Sequence, residues 1–168
     1  MELEAVMSKV IGMETFTAQL GRLTTDITKV TRGALGEAAG FVADEVKSAL
    51  EAMPTHTEGY SYAAPDAKRY GATESEKQQI IANFGISTFT DKGDSIGTSI
   101  GFTGYVHTTS KRFNDNVPTG LLMQCINYGT EFRQGTHTMD QAVKSASAQA
   151  EAKAQEYIDK EVNNIMGG

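Results

Sequence analysis

A chain of 168 residues with 39% hydrophobic and 21% charged side chains can build one self-supporting domain. Its net charge of −6 is spread evenly, with five basic and eight acidic residues in 1–53 and three and five in 137–168, so no nucleic-acid tail or polybasic membrane patch stands out. Cys125, the only cysteine, excludes an intrachain disulfide; no apolar run approaches the roughly 18 residues of a membrane span, and residues 1–12 lack the basic and apolar regions of a signal peptide.

The spacing predicts a first helix over residues 14–53, preceded by a flexible arm, 1–13. Phe16, Leu20, Leu23, Ile27, Val30 and Ala34 recur at gaps of four and three, which gives one helical face. The pattern resumes from Leu35 through Phe41, Val46 and Leu50 to Met53, and Pro54 sets the end. Gly33, Gly36 and Gly40 each cost about 1 kcal/mol relative to Ala, so a kink or break is expected there. Unbroken, 40 residues would reach roughly 60 Å, against about 40 Å for a compact domain of this size. The helix must either bend or project to meet a neighbour.

Residues 54–73 read as a long loop. Thr73 and Glu76 then form a capping box for a short helix ending at Gly85. Residues 86–90 and 95–102 read as strands of a hairpin turned by Asp91-Lys92-Gly93-Asp94. Ile96, Thr98, Ile100 and Phe102 share one face of it; Ser95, Gly97, Ser99 and Gly101 share the other, bare enough for a second backbone to approach. Residues 105–109 can add a third strand, and 105–118 is the second long loop region. A short helix follows over 119–128, ended by Gly129 in a left-handed conformation. Thr136 or Thr138 caps the last helix, with a stripe running from Met139 and Val143 through Ala146, Ala150 and Tyr157 to Ile165.

Candidate chemistry is sparse. Gly97-Thr98-Ser99-Ile100-Gly101 matches the G-x-S-x-G elbow of serine hydrolases, yet it lies inside an alternating strand, where the elbow needs strand, turn and helix. His56, His107 and His137 are far apart, and no metal-ligand spacing accompanies them. Lys68-Arg69-Tyr70 and Lys111-Arg112-Phe113 pair basic with aromatic side chains in loops, as single-stranded nucleic acid uses and as protein interfaces use. No catalytic, cofactor-binding or metal-binding residue is identified, and the reading is not enzymatic. Tyr60, Tyr62, Arg69, Tyr70, Arg112, Phe113 and Arg133 are the interface candidates, because Tyr and Arg concentrate interface energy. Gly129 and Thr130 are the candidate structural turn.

The end of the first helix, Val42-x-x-x-Val46-x-x-x-Leu50-x-x-x-Pro54, and the run Asn127-Tyr128-Gly129-Thr130-Glu131-Phe132 leading into a helix with Met139 and Ala142 near its start carry a resemblance. Together with the element order they resemble the neck and tail-completion proteins of long-tailed phages, over roughly residues 14–166. Asn127 stands where that family commonly has Glu, and His137-Thr138-Met139 replaces its usual Pro-Phe. The resemblance implies a single α+β domain, 1–168, with a curved antiparallel sheet packed by long N- and C-terminal helices. It also implies a homo-oligomeric ring, commonly six-fold, between tail tube protein and head-side connector proteins in the virion, with passing contact with DNA, no membrane and no cofactor. A nucleic-acid-binding accessory protein and a hydrolase using Ser99 are the alternatives. Salt-steep DNA binding would favour the one and serine labelling the other.

Overall fold

The computed structural model describes residues 2–56, 69–93, 95–108 and 116–167, with side chains from residue 15 onward. The α+β class is as expected: long helices at both ends of the chain enclose short strands. Helix α1 (Glu2–Ala52) is continuous. At 1.5 Å per residue it reaches about 75 Å. The expected arm 1–13 is therefore mostly the start of this helix, and no break occurs at the glycines. Packing outweighs their intrinsic cost. A Cβ on Gly33 would collide with the Tyr157 ring, so this glycine is the notch into which that ring fits, and Gly36 lies under Phe89. The threonines that weaken the first half donate their hydroxyls back along the helix, Thr24 to the Leu20 carbonyl and Thr31 to that of Ile27.

Helix α4 (Thr138–Met166) runs antiparallel to α1. Its start lies by Val42 and Val46, Lys153 sits over the Phe41 ring, and its last carbonyls meet Gln19, whose Nε2 donates to the Met166 oxygen at 2.6 Å. The seam is built from small residues: Ala34, Ala39 and Ala43 on α1, and Ala142, Ala146 and Ala150 on α4, are all buried. Val143, on the expected stripe, is 44% exposed, because the alanine row has turned inward instead.

The core lies at the C-terminal end of α1. Val46, Leu50 and Met53 pack with Ile80 of α2 (Glu74–Ala82), and with Leu122, Met123 and Ile126 of α3 (Thr119–Tyr128). The capping box forms as predicted: the Glu76 N–H donates to Thr73 Oγ1, and the Thr73 N–H to Glu76 Oε2. Helix α2 stops at Asn83 rather than Gly85. The Asn83 amide donates to the Thr119 hydroxyl and the Tyr105 carbonyl, which ties down the helix end and frees Gly85 for a strand.

Among the described residues the strands form four two-stranded ladders, where one curved sheet was expected. Arg69–Tyr70 (β1) pairs in parallel with Arg133–Gln134 (β8). Phe84–Ile86 (β2) pairs with Ile100–Phe102 (β5), and Thr90–Asp91 (β3) with Ile96–Gly97 (β4). These last two ladders are halves of the predicted hairpin. Ile86 faces Ile100, whereas Thr90 faces Gly97, so three residues on one side answer two on the other. That is a bulge, and it divides the ladder. The Ser87 hydroxyl fills the gap by accepting from the Ser99 N–H at 2.9 Å. The turn is as expected, with Gly93 at φ +88° and its N–H on the Asp91 carboxylate. Arg32 pairs with Asp91 at 3.0 Å and pins the hairpin tip to α1. The Gly93 N–H, with help from Arg32, holds the Asp91 carboxyl below its ordinary pKa. Tyr105–His107 (β6) pairs with Asn116–Pro118 (β7), so the end of the expected loop is a strand.

Candidate assembly surface

The run from Asn127 to Met139 is stitched together by backbone geometry. Helix α3 ends at Gly129, whose N–H donates to the Cys125 carbonyl and whose φ is +83° with ψ 174°. The sign of φ is as expected, although ψ places the residue outside the left-handed helical region. Thr130 and Arg133 then close a tight turn, with N–H donors to each other's carbonyls at 2.8 and 3.3 Å. The chain doubles back so that the Thr136 and His137 N–H groups donate to the carbonyls of Ile126 and Asn127, each at 2.9 Å. The last turn of one helix thus fixes the entry of the next.

The N-cap position of α4 is held by neither Thr136 nor Thr138, although Thr136 Oγ1 accepts from the Thr138 N–H at 3.4 Å. His137 occupies the cap position at φ 54° and makes no side-chain cap bond. The oxygen of Asn127, 3% exposed, accepts from the Met139 N–H at 2.9 Å instead. It serves a free N–H of the first turn from a neighbouring helix. Asn127→Ala is expected to cost about 1–2 kcal/mol, the loss of a cap and of a buried hydrogen bond together. Urea unfolding would check this, with Asn127→Asp retaining most of the stability through its remaining carboxylate oxygen.

Around this turn Tyr128 and Phe132 stand exposed. The Tyr128 hydroxyl donates to Asp140 Oδ1 at 3.0 Å, and this contact with a carboxylate raises the tyrosine pKa. His137 Nδ1 lies 3.7 Å from the other Asp140 oxygen. The group is open to solvent. Among the described residues, no three His, Cys, Asp or Glu side chains could hold a metal ion together, and no helix is long and apolar enough to cross a membrane.

The sequence-nominated interface residues divide. Tyr70 is exposed on β1, and Arg69 beside it is half-buried. Tyr60, Tyr62, Arg112 and Phe113 lie outside the described residues, as do Lys68 and Lys111 of the two basic triplets. Arg133 is not an interface residue. It is 7% exposed, donates to the Gly71 carbonyl, and stands 3.9 Å from Glu76. Burial lowers its pKa, and the charge of Glu76 opposes that shift. It clamps β1 and the N-terminus of α2 onto the turn. Ser99 is exposed within the hairpin, its carbonyl accepting from the Ser87 N–H, and β5 rather than a helix follows it, so it occupies no nucleophile elbow.

Sequence reasoning did not nominate the exposed apolar side chains of α1 as a contact surface. Phe16 is 53%, Leu20 42% and Ile27 57% exposed. A second uncovered apolar feature is a cleft of about 390 Å³ between α1, the hairpin and α4, lined by Val42, Val46, Ile100, Met139 and Val143 among others. The signal for the first was already in the chain, in the periodic stripe that begins at Phe16. No family model matches this sequence, and no curated protein or solved structure matches it.

Proposed function

We propose that this chain is a structural component of a phage particle that completes or terminates the tail at the neck and joins it to the head, acting as an oligomeric ring. One observation carries the assembly part of the reading. Helix α1 reaches about 75 Å, whereas a compact domain of this size is about 40 Å across. Along it Phe16, Leu20 and Ile27 are apolar and exposed. A protein shaped this way is built to be covered by neighbours. The neck and tail part of the reading rests on the resemblance carried by the end of α1 and by the Asn127–Met139 run. The structure adds a reason for that run to be specific in sequence, since Gly129 and Asn127 each perform a backbone task there. In this reading the mature location is the virion, reached by assembly with tail tube and head-side proteins.

Purified chain mixed with tail tubes and imaged in negative stain should show a ring closing one end of each tube. Light scattering that returns only an 18.1 kDa species, alone and with tubes present, would overturn the proposal.

A further inference from the structure

We infer that the N-terminal half of α1 docks on the same segment of a second copy of this chain, antiparallel, helix against helix. This rests on the self-association in the reading above and on none of its virion part. Phe16, Leu20, Leu23, Ile27, Val30 and Ala34 are spaced 4-3-4-3-4, a 3.5-residue repeat, which is the pattern that seats one helix in the holes of another. The two ends of this stripe differ. Val30 and Ala34 are buried, while Phe16, Leu20 and Ile27 are exposed. Helix α4 gives out at Met166, level with Gln19, and α1 continues for 17 further residues, 2–18. At 1.5 Å per residue that is about 25 Å of helix beyond the end of its partner.

Charge selects the occupant and its direction. Residues 2–14 carry three glutamates and one lysine, a net −2. Residues 22–32 carry Arg22, Lys29 and Arg32 against Asp26, a net +2, and 15–21 carry no charge. Antiparallel pairing of the stripe sets Glu14 of each copy opposite Lys29 of the partner subunit, twice by symmetry. It places Phe16 opposite Ile27 of the partner subunit and Leu20 opposite Leu23 of the partner subunit, so the stripe meets itself. Each projecting end also gains a helix pair to lie on. Parallel pairing would set the two acidic ends side by side and leave both projecting as a short, marginal pair.

Sedimentation of the full chain at about 100 µM should give a dimer or a larger species, and Leu20→Glu with Ile27→Glu should reduce its size. Direction is read separately, in a Cys125→Ser background. Chains carrying Phe16→Cys, mixed with chains carrying Ile27→Cys and oxidised, should give mainly the mixed disulfide. That arm needs no charge in the stripe and stays informative if the glutamate variant fails to fold. A monomer under these conditions overturns the pairing. So does a predominant Phe16→Cys homodimer, or an assembly whose size the glutamate variant leaves unchanged. In the last case assembly itself stands and only this surface is wrong.

Discussion

Gly71→Ala is expected to be among the most damaging single substitutions in this chain, although it adds one methyl group. Gly71 sits at φ +75°, and a Cβ there would fall within the Pro54 carbonyl group. That carbonyl accepts from the Ala72 N–H at 3.1 Å, and the Ala72 carbonyl accepts from the His56 N–H at 2.9 Å. These two bonds make the parallel bridge between Thr55 and Ala72 and join the end of α1 to the strand before α2. The methyl cannot be relieved by a rotamer change, because backbone is in its way. Left-handed strain of roughly 1–2 kcal/mol and two lost backbone bonds at about 1 kcal/mol each sum to about 3–4 kcal/mol. The Gly71 carbonyl is also the acceptor for buried Arg133, so its displacement disturbs the clamp on Glu76 as well. Thermal unfolding would test this, with Gly97→Ala as the control. Gly97 has open space at its Cβ and no positive φ, so that change should stay within about 0.5 kcal/mol.

The parts of this fold that could be read from the sequence are those whose signals are local. The capping box at Thr73 and Glu76 works within four residues and is found as predicted. The alternation survives from Ile96 to Ile100 as half-buried residues between exposed Gly97 and Ser99, and it ends at Gly101, which is half-buried like Phe102. Helix α3 matches over its whole length because Pro118 and Gly129 bound it. Elements fixed by distant partners were missed. Strand β8 holds two polar residues and exists because Arg69–Tyr70 lies beside it. Strand β7 holds Asn116 and Pro118, poor strand formers that pair because β6 presents Val106 to Val117 in the core. Continuity of α1 through Gly33, Gly36 and Gly40 runs against propensity, and it depends on Tyr157, 124 positions after Gly33 in the chain.

The candidate surface was legible in part. The stripe from Phe16 onward was visible as a helical face, and the helix was already too long for a compact domain. Which part of that face stays open depends on how α4 packs along it, since Leu20 and Ile27 are exposed although α4 reaches level with Gln19, and no local pattern in α1 encodes that. Arg133 shows the opposite error. Composition marks an arginine beside aromatics as an interface anchor, yet a carbonyl and a carboxylate from other segments hold it inside.

Gly129→Val is expected to disconnect α4 from the core. At φ +83° and ψ 174°, Gly129 occupies a region that is essentially restricted to glycine, and a side chain there costs roughly 1–3 kcal/mol. Space is lacking as well. A Cβ would stand 2.8 Å from both the Arg133 carbonyl oxygen and the Gly135 nitrogen. To relieve that contact the connector must move away from α3. The bonds it makes there, from the Thr136 and His137 N–H groups and from Met139 to Asn127, would be lost or stretched. Each is worth about 1 kcal/mol net, so the total loss is about 4–6 kcal/mol. At roughly 2–4 °C per kcal/mol for a chain of this size, the melting temperature should fall by roughly 8–24 °C. Gly120→Ala supplies the contrast, since it lies in helix α3 with nothing within 4 Å of the added carbon, and it should stabilise by about 0.4–1 kcal/mol. The readout should not be global stability alone. Because α4 is held at one end by this turn and along its length by α1, the variant should keep most of its helical circular dichroism and lose hydrogen-exchange protection first at residues 136–142. Unchanged protection there, together with an unchanged melting temperature, would mean that the α3–α4 connection tolerates a side chain at Gly129 and that the turn is not what fixes the direction of α4.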